Sequence, residues 1–401
     1  MPKRRGKWAR RALVAGCLCL ASGAGLWIAI HEVPGFGPAL ADGVRSVVGP
    51  GPVAWAEDVA YGVADWMNLH THADDAPKTF WDPPQPGKEA PIVALPGQPD
   101  PMANAPAPFT PPHANVAAEG DGKWIPMRAP WDTGPIAMWK ALVHPDPKRP
   151  FAAVAVVAVS TTDLELSLVP GTEEPKSQHV PRAERPGLIP ADKQDSLVAA
   201  FNGGFRAEHG NYGMRIGERV FIPPRGIACD VGLNPDGTVV IGTHDSLGAV
   251  EAGFSWYRQT PPCLVEGGAP NPGLLHEFNR NWGATVGGDT IIRRSAIGLS
   301  KDKKHLFYAL GDAVTAQSIG RAMLVVGAHD AAQLDVNHSY PRFLLFEKAE
   351  GGSVATAPII PELKYNPSDY VRTPSSRDFF FLTRKRIKTA GPDEAPKAGG
   401  G

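Results

Sequence analysis

Residues 196–205 read SLVAAFNGGF, a short apolar run that ends at the glycine turn Asn202-Gly203-Gly204. An apolar run of this length, bounded by a turn signal, is typical of a buried strand. The longer run FAAVAVVAVS at Phe151–Ser160 predicts a second buried strand, and the alternation of Leu164–Val169 predicts a half-exposed one. The centre of the chain is therefore expected to be built from strands.

The pattern of strands continues toward the C-terminus. Val231–Leu233 and Thr238–Ile241 flank Asn234-Pro235-Asp236-Gly237, which predicts a hairpin. Within the folded part, only Thr315–Val326 has the length and period of a helix. Further strand-like runs occur at Ala296–Leu299, Leu306–Leu310, Phe343–Phe346 and Phe379–Leu382. Many strands and few helices predict an α+β fold with a mixed β-sheet.

The N-terminus has the layout of an export signal or a membrane anchor. Ala12–Ile30 is long and apolar enough to span a bilayer, and the positive-inside rule sends the rest of the chain across it. A signal peptide cleaved at Ala39-Leu40-Ala41 is the alternative, while a lipoprotein at Cys17 and twin-arginine export fit less well. A basic cluster precedes the apolar run, at Lys3, Arg4, Arg5, Lys7, Arg10 and Arg11. Each alternative places the bulk of the protein outside the cytoplasm, in the periplasm or at the cell surface, or secreted after cleavage.

Composition divides the rest of the chain. Val53–Leu69 has apolar residues near helical spacing and predicts a helix that lies on the membrane or on the domain. The many prolines after Asp74 predict a semi-extended tether. The expected segments are an anchor or signal peptide at 1–30, a juxtamembrane segment at 31–73, a Pro-rich linker at 74–121, a folded domain at 122–385 and a flexible tail at 386–401.

Charge and cysteines exclude several classes of protein. The formal net charge is −1, which gives no field for nucleic acid. Cys17 and Cys19 belong to the apolar segment, so Cys229 and Cys263 remain for a disulfide in an exported domain. The sequence does not show whether these two meet. No cysteine and histidine spacing predicts a zinc site.

Four short segments occur in order along the folded part: AFNGGF at 200–205, PCLVEG at 262–267, RSAIGLS at 294–300 and GAHDAAQLD at 327–335. Together they resemble the phosphodiester glycosidase domain family over about residues 125–385. The resemblance implies hydrolysis of a sugar–phosphate bond in a glycan or phosphoglycan substrate. The chain departs from the family where Val336, Asn337 and His338 replace glycines after Leu-Asp, and where Gly311-Asp312 precedes the helix. A β-branched Val336 cannot follow the backbone path of a glycine, so the loop or the pocket must differ.

Candidate catalytic groups follow from the chemistry of glycoside cleavage, which needs a proton donor and a base or nucleophile. Asp335 ends an apolar run at the end of a strand and is interpreted as base, nucleophile or metal ligand. Glu208, with His209, is interpreted as a proton donor above the pocket, or else as a solvated loop residue. His338 is a further candidate for acid–base chemistry.

Candidate binding groups are cationic or rich in backbone donors. Asn202, Gly203 and Gly204 are expected to present N–H groups and an amide to an anion or a sugar, or alternatively to form only a tight turn. Arg294 is expected at a sheet edge or pocket mouth, gripping phosphate or forming a salt bridge. Asp312 is a reserve carboxylate, as is Asp289. We expect Asn202, Arg294 and Asp335 to line a single cavity.

Two functions stay open from the sequence. The first is an exported, glycoside hydrolase-like enzyme that acts on a phosphodiester-linked or other glycosidic bond of an envelope glycan. The alternative is a module on the same fold that binds a glycan without cleaving it or serves as an envelope scaffold. No cofactor is expected, although a divalent cation is left open. The expected partners are the glycan and, through the N-terminal segment, the membrane, but not nucleic acid.

Overall fold

A computed structural model describes residues 47–83, 97–248, 253–275, 282 and 291–385, and a few isolated residues before them. The predicted anchor at Ala12–Ile30, except Gly25, lies outside the described residues, as do Asp289 and the tail from 386. Among the helices of the described part, none combines the length and the apolar character needed to cross a membrane.

The two longer helices, α1 and α4, lie where the sequence pattern predicted helices, whereas the four-residue helices α2 and α3 were not predicted. The long helix α1 begins with proline at its first turn, a position where the missing N–H costs nothing. The helix α4 is capped by Thr315, whose hydroxyl oxygen accepts from the N–H of Ser318 at 3.0 Å. The bounds are α1 Pro50–Thr71, α2 Ala191–Gln194, α3 His244–Leu247 and α4 Ala316–Val325.

The described residues form eighteen strands, and each run that the sequence identified as strand-like overlaps one of them. Their bounds are β1 Ile125–Met127, β2 Met138–Val143, β3 Val154–Ser160, β4 Leu164–Val169, β5 Leu197–Asn202, β6 Met214–Ile216, β7 Arg219–Ile222, β8 Cys229–Leu233, β9 Val239–Thr243, β10 Trp256–Thr260, β11 Val265–Glu266, β12 Ala269–Pro270, β13 Ile292–Ser300, β14 His305–Val314, β15 Ala328–Val336, β16 Phe343–Ala349, β17 Gly352–Pro358 and β18 Phe379–Arg384.

The strands are arranged in three sheets with the orders β1-β2-β3-β14-β13-β15-β11-β12, β7-β6-β10-β8-β9 and β17-β16-β5-β18-β4. Every strand pairing within these sheets is antiparallel. The structure is consistent with the α+β class, but the predicted mixed sheet is wrong. Short connections such as the turn between β13 and β14 join antiparallel strands, whereas parallel pairs need long crossovers.

The core places the end of β5 against the eight-stranded sheet. The ring of Phe201 on β5 lies 4.8 Å from that of Tyr308 on β14 and 5.5 Å from that of Phe380 on β18. The opposite face of the eight-stranded sheet packs against α4, with Ile319 and Met323 fully buried. The eight-stranded sheet is therefore covered on both faces, and the residue that follows Phe201 lies between two sheets.

The described parts of the Pro-rich segment pack on the domain, which differs from a tether that stands away from it. The indole N–H of Trp139 donates to the carbonyl of Pro101 at 2.8 Å, and that of Trp124 to Ala107 at 3.1 Å. Phe80 is buried, and Lys78 donates its backbone N–H to Pro150 at 2.9 Å. This segment belongs to no sheet, so its backbone groups form hydrogen bonds with the domain instead. The domain boundaries themselves stay a prediction.

Cys229 and Cys263 meet and form a disulfide, with their Cα atoms 4.8 Å apart. It joins the start of β8 to the segment before β11, across a sequence separation of 34 residues. The bond therefore ties two of the three sheets together.

Candidate functional site

Three distant segments meet where β5 and β15 end and β18 begins. The backbone N–H of Asp335, near the end of β15, donates to the carbonyl of Gly203 at 3.1 Å. The N–H of Gly203 donates to the carbonyl of Asp378, the residue before β18, at 3.0 Å. Asn202 and Asp335, far apart in the sequence, are thus brought together.

Asn202 holds this junction together from inside. Its side-chain nitrogen donates to Ser295 Oγ at 2.8 Å, and its oxygen accepts from the hydroxyl of Tyr308 at 2.7 Å. Ser295 in turn donates to the carbonyl of Asp335 at 3.0 Å. The amide of Asn202 is fully buried and bonded within the protein, so it acts as an internal brace.

The two glycines of the turn are required by close packing. A Cβ at Gly203 would lie 2.2 Å from Asp378 Oδ2, and one at Gly204 would lie 2.8 Å from Arg258 Cζ. The N–H of Gly204 donates to Asp378 Oδ2 at 2.9 Å. The N–H groups that the sequence assigned to a ligand are therefore bonded to Asp378.

A buried ion pair that the sequence analysis missed supports the turn. Arg258 Nε on β10 donates to Asp378 Oδ2 at 2.9 Å, and both side chains are almost completely buried. Arg258 also donates to the carbonyl oxygens of Phe205 at 2.5 Å and Tyr212 at 3.0 Å. It donates to the carbonyl of Gln259 as well, at 2.9 Å, and a guanidinium bonded to one carboxylate and three carbonyls fixes the turn and β18 relative to each other.

The carboxyl group of Asp335 lies buried at the junction. It is 1% exposed, and Oδ2 accepts from Arg377 Nη1 at 2.5 Å and from Asn337 Nδ2 at 2.9 Å. Burial raises the pKa of Asp335, Arg377 opposes that rise, and Asp378 adds to it. A carboxyl group with these neighbours is suited to hold a proton at a pH where ordinary aspartates are ionised.

Arg377 supplies the cation at this site, and it too was missed by the sequence analysis. Its guanidinium carbon lies 4.5 Å from the ring centroid of Tyr340, whose hydroxyl donates to the carbonyl of Asp378 at 2.6 Å. Within the described part of the chain, Nε and Nη2 of Arg377 are buried and have no hydrogen-bond partner. Buried donors of this kind are costly unless a ligand or water satisfies them.

Glu208 and His209 lie over the junction at the surface. His209 Nε2 is 3.6 Å from Glu208 Oε1, and Glu208 Oε1 is 3.4 Å from Arg206 Nη1. Partial burial lowers the pKa of His209, and the nearby Asp335 carboxylate opposes this. His209 is therefore neutral near pH 7 and can accept a proton.

Arg294 does not join Asn202 and Asp335, so the prediction of a three-way convergence is wrong for this residue. It is 1% exposed and donates to the carbonyls of Trp282 at 2.7 Å and Val314 at 3.1 Å. Adjacent residues of a strand point to opposite faces, so Ser295 faces Asn202 while Arg294 points toward the core beside α4. The arginine that contacts Asp335 is Arg377, not the predicted Arg294.

His338 and Asp312 also lie away from Asp335, in a cavity against α1. The carboxylate of Asp312 accepts from Arg293 Nε at 2.5 Å. Burial raises the pKa of Asp312, but Arg293, with His338 and Lys78, outweighs burial and lowers it. Over the described residues, no three His, Cys, Asp or Glu side chains are grouped to hold a metal ion.

Comparisons with known proteins give only distant likenesses. No family model matches the chain, and no curated protein matches it. The catalytic domain of zebrafish N-acetylglucosamine-1-phosphodiester alpha-N-acetylglucosaminidase, auto-inhibited by its pro-peptide, has a TM-score of 0.41 at 16% identity, over 66% of this chain and 88% of that one. A hypothetical protein from Synechocystis has a TM-score of 0.39 at 10% identity, over 66% and 64%. An exported protein of Burkholderia pseudomallei K96243 has 0.28 at 12% identity, over 58% and 74%. At these scores, the likenesses decide neither substrate nor mechanism.

Proposed function

We propose that the chain is an exported hydrolase that cleaves a phosphodiester-linked or other anionic glycosidic bond of an envelope glycan, with Asp335 as its acid. The observation that carries the proposal is the contact of Asp335 with Arg377, in which a buried carboxyl group of raised pKa lies beside a guanidinium whose Nε and Nη2 have no hydrogen-bond partner among the described residues. This pair combines a proton donor with a cation for the substrate's charge.

The reaction follows from these two groups and His209. Arg377 Nε and Nη2 bind the anionic oxygens next to the scissile bond. The bond between the anomeric carbon and the bridging oxygen breaks, and Asp335 gives its proton to that oxygen. Water attacks the anomeric carbon, and neutral His209 accepts the proton that the water loses. The products are a free sugar and the phosphate-bearing remainder, and proton transfer between His209 and Asp335 restores the starting state.

Two features support an extracytoplasmic site of action. The disulfide of Cys229 and Cys263 is typical of proteins that fold in oxidising compartments. The basic cluster and the apolar run at the N-terminus are typical of export.

The decisive experiment compares the substitutions Asp335→Asn and Asp330→Asn in the full-length protein. Both lie on β15, but the carboxylate of Asp330 accepts from the N–H of Gly267, at 2.9 Å. With a sugar-1-phosphodiester as substrate, D335N is expected to lower kcat by about 10²–10⁴-fold, the usual contribution of a general acid. D330N should leave kcat within about threefold. Equal activity of wild type and D335N would refute the proposal.

A glycan-binding module without catalysis is the second candidate. The observation in its favour is that the N–H groups of Gly203 and Gly204 are bonded within the protein, so the turn offers a substrate no oxyanion donors. Saturable binding of the same phosphodiester without release of sugar, with and without a divalent cation, would favour this alternative.

A further inference from the structure

A cavity of about 260 Å³ lies between α1 and the domain, away from Asp335. Tyr61 and Asn68 form its wall on α1. Phe151, Asp312 and His338 line it from the domain. The volume is just below the range of about 300–1,000 Å³ for pockets that take drug-sized ligands. The cavity is therefore matched to a single small ring.

The lining combines aromatic surface with groups that bond hydroxyls. Tyr61 and Phe151 offer aromatic carbon, and the rings of Tyr61 and His338 contact each other with their centroids 5.7 Å apart. Asn68 offers an amide that both donates and accepts, and the carboxylate oxygens of Asp312 keep lone pairs beyond their bonds to Arg293. Apolar faces rimmed by hydroxyls, as in a pyranose ring, match this combination.

The charges around the cavity are balanced, which disfavours an ionic ligand. Asp65 on α1 is paired with Arg149 at 2.8 Å, and Arg149 also contacts Asp146 at 2.7 Å. Asp312 is paired with Arg293, and Lys78 is a further cation, which lines the cavity itself. Three carboxylates thus face three permanent cations, so a neutral ligand needs no further charge compensation.

The backbone at the cavity is strained, and the cavity is linked to Asp335. Ala313 lines the cavity with φ of 56°, which costs a residue with a Cβ roughly 1–3 kcal/mol. Strain of this kind persists at binding sites where the surrounding structure imposes it. His338 belongs to the same loop as Asn337, which donates to Asp335. A ligand against His338 therefore touches the loop that holds the catalytic carboxyl group.

We propose that this cavity is a subsite for a neutral sugar ring, formed jointly by α1 and the domain. The proposal rests on the proposed function in that it assigns the ring to the glycan whose anionic bond is cleaved at Asp335. The subsite gives α1 a role in substrate recognition.

The test uses a large side chain on α1 to fill the cavity. Ala64 lines the cavity, whereas Val63 is 51% exposed on the other side of the same helix. The full-length protein in a D335N background is titrated with methyl glycosides of neutral hexoses and N-acetylhexosamines, followed by saturation-transfer NMR. The D335N protein is expected to bind at least one probe saturably. Ala64→Trp should weaken that binding at least tenfold, and Val63→Trp should leave it within twofold.

Further variants and an activity assay separate the possible results. If A64W lowers the melting temperature strongly, Asn68→Leu replaces it in the same titration. Failure of every probe to saturate the D335N protein, or unchanged binding in the cavity variant, overturns the subsite. Because binding is measured without turnover, loss of binding in A64W supports the subsite even if no hydrolysis is ever observed. The activity assay uses A64W with Asp335 intact. If this variant hydrolyses the phosphodiester with an unchanged KM, the subsite is overturned and the proposed function stands.

Discussion

The backbone N–H of Asp335 donates to the carbonyl oxygen of Gly203 over 3.1 Å, which joins the end of β15 to the turn after β5. This bond links the eight-stranded sheet to a five-stranded sheet at the point where the candidate acid lies. The carboxyl group of Asp335 is thereby held by the backbone of the fold, and its chemistry depends on the few charged side chains around it.

The pH dependence of hydrolysis is expected to report the pKa of Asp335. Burial raises this pKa, so the protonated acid persists to higher pH than in an ordinary aspartic acid, and kcat should fall as pH rises through the raised value. The substitution Arg377→Gln removes the cation that lowers this pKa. It should move the descending limb of the profile to higher pH, whatever its effect on the absolute rate.

The control for the pH profile is Arg372→Gln, which changes an exposed arginine of the same loop. Its descending limb should coincide with that of the wild type. A limb that stays in place in R377Q would show that Asp335 is not the titrating acid.

Arg377 lies beside Asp335, where Arg294 had been predicted, and a pair of lysine substitutions can test which arginine binds the substrate. Arg377→Lys keeps the charge but loses the planar fork, so KM for an anionic glycan should rise about tenfold. Arg294→Lys should leave KM within about twofold but destabilise the fold by about 1–3 kcal/mol, since buried carbonyls lose donors. Steady-state kinetics and denaturant unfolding measure the two effects. A raised KM in R294K alone would reverse the assignment.

The ion pair of Arg258 and Asp378 is expected to dominate the local stability. Arg258→Met leaves Asp378 buried without its cation and should lower the free energy of unfolding by about 3–5 kcal/mol. The matched control is Arg182→Met, which removes an exposed pair with Glu173 and should cost less than about 1 kcal/mol. Equal midpoints of urea unfolding for the two variants would contradict this.

The glycine turn is expected to tolerate no methyl group. Gly203→Ala would place a Cβ against Asp378 and should lower the free energy of unfolding by about 1–3 kcal/mol, the usual cost of overpacking. Gly253→Ala, which meets nothing within 4 Å, should change it by less than about 0.5 kcal/mol. Thermal unfolding followed by circular dichroism compares the two, and equal melting temperatures would argue against the tight contact.

The disulfide should stabilise the folded domain by constraining the unfolded chain. Replacing both Cys229 and Cys263 by serine is expected to lower the free energy of unfolding by about 2–5 kcal/mol. Reductant should lower the melting temperature of the wild type toward that of the double variant and leave the variant unchanged. A wild type indifferent to reductant would show that the bond contributes little.

The strands could be predicted from the sequence because their apolar runs are bounded by turns, as at Phe151–Ser160 and Leu164–Val169. Strand direction could not, since an apolar run is compatible with both parallel and antiparallel pairing. Asn202 and Asp335 could be predicted as neighbours because both end apolar runs.

The charged partners were harder to predict. Arg258 and Asp378 are 120 positions apart, and nothing local shows that they pair. A weak signal was present, because Arg377-Asp378 directly precedes the apolar strand Phe379–Leu382, as Asn202-Gly203 directly follows another. Arg294 was misplaced because its direction depends on which face of β13 is turned to β5, and only the packed sheets decide that.

The position of β18 has a consequence for the order in which the molecule is assembled. It lies between β5 and β4, although it follows both by more than a hundred residues. During synthesis from the N-terminus, the edges of β5 and β4 that pair with β18 stay unpaired until β18 has been made. Unpaired strand edges promote aggregation, which favours assistance by a chaperone. Arg377 and Asp378 are made just before it, so the candidate site is complete only once the sheet has closed.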